Sequence, residues 1–197
     1  MSGPALHGAA LGAPVLRYTR IAVVLHWVIA VLIVGNVALA LSADSLPDAW
    51  VRPVIDTHKS IGITVLGLAL LRLLWRAGHP APPLPEDYPR WQRLAAHVVH
   101  VALYGLILAL PLSGWMHDSA WNAAASHPMR LFNLMPWPRI SWILNLAPGE
   151  KERLHTVFGN LHTWLGYTLY ALLALHVGAA LKHQFIDKQR ELQRITF

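Results

Sequence analysis

From residue 154 to residue 181 the chain carries no Asp, Glu, Lys or Arg. As a helix rising ~1.5 Å per residue, that run is longer than the ~30 Å hydrocarbon core of a bilayer is thick. In lipid such a segment must satisfy its own backbone, so it is expected to form a transmembrane helix. Along it stand His155, His162, His176 and His183, at separations of 7, 14 and 7 residues. Each seven-residue step drifts by only ~20° around a helix, so the four histidines share one stripe. His162 and His176 are separated by about 21 Å along the axis, most of the bilayer's depth. Ionisable groups inside a span are costly and mark function. The other segments are therefore read as partners for this stripe.

Two further charge-free runs, 21–43 and 94–117, are long enough to span. A fourth apolar segment, about 54–75, has a neutral centre at 60–71 that is too short alone. Lys59 and Arg72 can reach the two interfaces from its ends. Charged residues make up 13% of the chain, against ~25% in soluble proteins. The expected fold is an all-α integral membrane four-helix bundle over residues 17–185. Residues 1–16 are expected to form a disordered N-terminal tail, and 186–197 a charged C-terminal tail. The run starting at Ile21 exceeds the h-region of a signal peptide, so an uncleaved first span is expected.

Four spans put both termini on one side, and ten of the 16 lysines and arginines fall there. The positive-inside rule makes that side cytoplasmic. A pI of about 10.1 thus reflects topology and not nucleic-acid binding. The absence of cysteine excludes disulfides, iron–sulfur clusters and covalent c-type haem.

With this topology His26 and His176 fall toward the cytoplasmic side, and His58 and His162 toward the outer side. Each pair joins a different helix to the fourth span. Two imidazole pairs at two depths suit two planar metal cofactors stacked along a bundle. Two alternatives remain at this point: helix–helix hydrogen bonding, and a haem-free proton or metal pathway. A transition-metal pathway would more typically include carboxylate or sulfur ligands. His97 and His100 share a face of the third span, which also contains Pro111. Gly62 and Gly166, each four residues after a paired histidine, are where a flat cofactor could approach. The loop 118–152 is long for a compact domain, and its Trp121, Trp137 and Trp142 suit the outer interface. The stretch between the first two spans, with Pro47, Asp48, Trp50 and Pro53, is expected to be a loop, with His58 opening the second helix.

Several stretches resemble the bacterial cytochrome b561 family, whose best-known activity is superoxide oxidase. They are Thr19-Arg20 with His26-Trp27, His58-Lys59-Ser60-Ile61-Gly62, Arg72-Leu73-Leu74-Trp75-Arg76 and Pro80-Ala81-Pro82-Pro83. Ala96-His97-Val98-Val99-His100, Ala109-Leu110-Pro111, Leu161-His162, Leu175-His176 and His183 complete the match, over about residues 17–195. The resemblance implies two b-type haems with axial ligands His26, His58, His162 and His176. It also implies electron exchange with ubiquinone near His183, with His97 and His100 as supporting groups for haem propionates or the quinone pocket. An inner-membrane oxidoreductase is expected, with superoxide as outer reductant and Lys59, Lys151 and Arg153 as local attraction for the anion. The outer loops sum to zero charge, and the Pro-rich cytoplasmic loop carries Glu86 and Asp87, unlike the positive surface the family activity favours. The rival reading within electron transfer is an anchor and relay subunit of a hydrogenase or dehydrogenase.

Overall fold

The computed structural model describes residues 17–83 and 88–196. The tail expected at 1–16, together with Glu86 and Asp87, lies outside the described residues. Four long helices dominate: α1 (Arg20–Ser42), α2 (Asp48–Gly78), α3 (Arg90–Ala120) and α5 (Pro148–Leu181). All four are long and apolar enough to cross a membrane. Their outward faces expose Val31, Leu74, Trp164 and many other large apolar side chains. Such a surface belongs against lipid, as a soluble monomer rarely carries one.

Local chemistry explains where the helices begin. Thr19 caps α1, its Oγ1 accepting from the Ala22 N–H at 3.4 Å. Pro148 opens α5, where its missing N–H would have been unsatisfied anyway. The second helix corrects one expectation. Asp48 to Pro53 are helical, so α2 starts about three turns before His58. Pro53 lies early enough for the helix to lose a single backbone bond there and continue. Pro111 likewise stands inside α3.

The loop 121–147 contains a 3-10 turn, Ala124–Ser126, a short strand pair, Arg130–Leu131 (β1) with Met135–Pro136 (β2), and an α-helical turn, Ser141–Leu144 (α4). A tight turn joins the strands, with Phe132 and Asn133 both at positive φ. The connection has three residues, closed by the Leu134 N–H donating to the Leu131 carbonyl at 2.9 Å, and the Phe132 N–H donates to Ser60 Oγ at 2.9 Å.

At the opposite end the chain closes on itself. The Tyr18 N–H donates to the Arg194 carbonyl at 3.0 Å and Trp27 Nε1 to the Ile195 carbonyl at 2.8 Å. Both described termini therefore meet at one end of the bundle, called the terminal end here, and the long loop covers the loop end. Backbones pack closely between α1 and α2, α2 and α3, and α3 and α5. Nothing comparable joins α1 or α2 to α5, and at the terminal end the interior between them is open around His26 and His176.

Candidate functional site

His26 of α1 and His176 of α5 face one another toward the terminal end, with ring centroids 6.5 Å apart and planes at 74°. His58 of α2 and His162 of α5 do the same toward the loop end, at 6.1 Å and 82°. Along α5 the two pairs are about 21 Å apart. At the loop end the ring orientations are fixed by backbone. His58 Nδ1 donates to the Asn36 carbonyl at 3.1 Å, and His162 Nδ1 to the Leu110 carbonyl at 3.0 Å. A carbonyl can only accept, so each Nδ1 carries the proton and each Nε2 keeps a free lone pair.

The terminal-end pair lines a cavity of about 440 Å³, within the range of small-molecule sites. His100 and His183 line it as well. The His100 ring is 5.2 Å from that of His176. His97 is exposed and does not line the cavity. His183 sits in a π-helical turn continuing α5, stacked on Tyr88 at 5.4 Å, with Nδ1 2.8 Å from Asp187 Oδ2. The Lys182 ammonium, and after it the His183 ring, hold the Asp187 carboxyl below the usual carboxylate range.

Residues 17–197 match the family model described as prokaryotic cytochrome b561. The chain belongs to that family. Cytochrome b561 homolog 2 of Escherichia coli (strain K12) is 35% identical over 182 residues, covering 91% of this chain and 90% of the relative. Cytochrome b561 homolog 1 of the same organism is 28% identical, with 91% and 96% covered. A Yersinia pestis protein named Probable superoxide oxidase CybB is 27% identical, with 91% and 95% covered. The chain is accordingly a bacterial membrane cytochrome of electron transfer that binds b-type haem.

The side chains present suit such a group. Imidazole nitrogens bind zinc at about 2.0–2.1 Å, and a similar bond on either side of one metal would put ring centres about 6 Å apart. Both histidine pairs have that separation. Ring N–H groups tied to carbonyls are the usual support of metal-binding histidines.

Other parts of the b561 site escaped the sequence reading. Gly62 and Gly166, singled out by position, stand in ordinary surroundings: an added Cβ would lie 3.9 Å from Asn36 Nδ2 and 3.8 Å from the Tyr170 hydroxyl. The crowded glycines are Gly114, where a Cβ would come 3.2 Å from the His162 ring, and Gly159, 2.9 Å from the His117 ring. His117 and His155 stack at 3.8 Å, each Nδ1 donating to the other's carbonyl, at 2.8 and 3.0 Å. His155 thus leaves the stripe's shared role and locks α5 to α3. Lys59 is already paired, 2.7 Å from Asp118 Oδ1, while Arg139 Nε holds Oδ2 at 2.7 Å. Lys151 is buried, so of the three cations expected to attract an anion only Arg153 is exposed and without an ion pair among the described residues. No local spacing announces these contacts, because every partner comes from another element.

Proposed function

We propose that this chain is a dihaem cytochrome b that passes electrons between an outer donor and ubiquinone across the bacterial inner membrane, with both termini in the cytoplasm. The observation that carries the reading is the pair of facing imidazoles at two depths. His26 and His176 would hold the haem nearer the cytoplasm, and His58 and His162 the outer one. Haem iron supplies one-electron redox chemistry when bound, and two imidazoles per iron leave no open position for oxygen. The protein's part is to fix ligand tautomers, hold the cofactors in line and keep water from the interior.

The position of His183 supports a part in the quinone step. It lies on the cavity wall where the bundle ends, one stripe position beyond His176. Hydrogen-bonded to Asp187, it can donate to a quinone carbonyl and recover a proton from the aqueous side. Ubiquinone takes two electrons and two protons to become ubiquinol; two superoxide anions supply two electrons and leave as two O₂. Superoxide is the proposed donor, supported by the name of the Yersinia relative.

The haem count follows from extraction with acidified organic solvent, which removes non-covalent haem; about two per chain is expected. A folded, haem-supplied preparation that stays colourless would sink the proposal. Stopped-flow mixing with superoxide tests the donor. Absence of haem reduction, with a dehydrogenase co-purifying, would move the assignment to a relay subunit.

A further inference from the structure

Two guanidinium groups line the terminal-end cavity, and neither has a full complement of partners. Arg194 stands in the last helical turn, Leu192–Arg194, and is only 6% exposed. One terminal nitrogen, Nη2, donates to the carbonyls of Pro82 and Pro83, both at 2.8 Å. The other, Nη1, is buried and makes no hydrogen bond among the described residues. Its neighbour is Glu191 Oε1 at 3.5 Å, an oxygen that already accepts from the Tyr88 hydroxyl at 2.6 Å. Arg72 donates through Nε to the Tyr104 hydroxyl at 2.9 Å and forms no ion pair among the described residues.

Arginine does not deprotonate, so both positive charges persist inside an otherwise largely apolar cavity. Lys182, a third lining cation, is satisfied by Asp187. Against the two guanidiniums the lining offers one carboxylate among the described residues, Glu191. A buried charge left short of partners is costly, and a charge-assisted bond to a carboxylate removes that cost. Haem brings a pair of propionate carboxylates on one edge.

We propose that Arg194, with Arg72, receives a propionate of the haem held by His26 and His176. The C-terminal segment is then a part of the cofactor site, held in place by Tyr18, Trp27 and the Pro82–Pro83 carbonyls. The inference rests on the dihaem reading and adds a recognition group that lies outside the spans. A lipid phosphate entering the same opening would offer similar anionic chemistry, and the experiment separates the two.

The test compares wild-type protein, Arg194→Gln and Arg194→Lys, each loaded with haem. Redox titration resolves the two haems, and redox-difference infrared spectra are taken with isotope-labelled propionates. Arg194→Gln should lower the midpoint potential of the terminal-end haem, since a nearby cation favours the reduced state. It should also shift a labelled carboxylate band, with the loop-end haem unmoved and the lysine variant restoring most of the potential. A glutamine variant that keeps both haems with unchanged potentials and bands overturns the inference, as does a response confined to lipid phosphate bands. If Arg194→Gln loses the haem outright, retention by Arg194→Lys supports an ionic contact; loss from both variants overturns it in favour of a structural tail. Wild-type protein lacking haem at this end would instead sink the dihaem reading itself.

Discussion

The two ends of the bundle solve the same problem differently. At the loop end the buried charges and hydroxyls are paired within the protein, although Asn36 Oδ1 and Trp137 Nε1 are buried without a hydrogen bond among the described residues. Asp118, 4% exposed, is held by Lys59 and Arg139; Ser119 Oγ accepts from the Ile140 N–H at 3.1 Å; Ser60 does the same for Phe132. The stacked His117 and His155 close the seam between α3 and α5. At the terminal end the cavity stays open, and His100, His176, Arg72 and Arg194 line it with polar capacity to spare. The difference teaches where exchange can occur. Charges that neutralise one another, as Asp118, Lys59 and Arg139 do, leave nothing to recruit an ion, whereas buried guanidiniums short of partners suit an anionic group.

The largest effect expected is the loss of one cofactor, and it tests whether the ends are independent. His26→Leu and His176→Leu should each abolish the same haem, and His58→Leu and His162→Leu the other. Redox titration of the four variants should give two matching pairs of losses. If His26→Leu removed the haem that His162→Leu removes, the division into two ends would be wrong.

Next is the polar seal. Asp118→Ala leaves Lys59 and Arg139 without their shared anion, and removing one member of a buried pair costs about 3–5 kcal/mol. Thermal unfolding should shift down accordingly, while the terminal-end haem keeps its spectrum. An unchanged transition would mean that the loop is not held by this network.

A smaller effect is expected where helices touch. Gly159→Ala would drive a methyl group against the His117 ring. Overpacking of this kind costs about 1–3 kcal/mol. Stability should fall and the His117–His155 stack should loosen, which histidine NMR resonances would report.

These contacts also mark what could be read in advance. Helix number, the shared end of the termini and the facing of His26 with His176 and His58 with His162 were legible, because they follow from apolar run length and helical period. The early start of α2 was not, since Pro47 and Pro53 read locally as loop residues, while Pro47 in fact precedes the first helical residue and the helix tolerates Pro53. The roles of Lys59 and His155 were hidden too, because Asp118 and His117 lie far away in sequence.

The mildest predicted effects concern the exchange of protons and quinone at the open end. His183→Ala should slow quinone reduction several-fold and leave both haem spectra intact; unchanged kinetics would make His183 a bystander. The Asp187 carboxyl, held below its ordinary range, lends its contact with Lys182 and His183 at neutral pH. That contribution is lost as pH falls through the lowered pKa of the folded state. Asp187→Asn should therefore remove this acid-side loss of stability, a small effect that unfolding transitions measured across acid pH would report.

By itself the sequence determined that this chain spans a membrane four times and carries histidines at two depths. Apolar length and helical periodicity are local properties, legible wherever the backbone must satisfy its own hydrogen bonds in lipid. Only the tertiary structure decided which polar groups are already paired and which are left over. Asp118 meets Lys59 and Arg139, and the last turn returns Arg194 to the cavity, because the fold brings together residues of different elements. Whether a charge is free to bind something depends on that arrangement, since a partner's distance and burial, and not its place in the sequence, set the strength of the interaction.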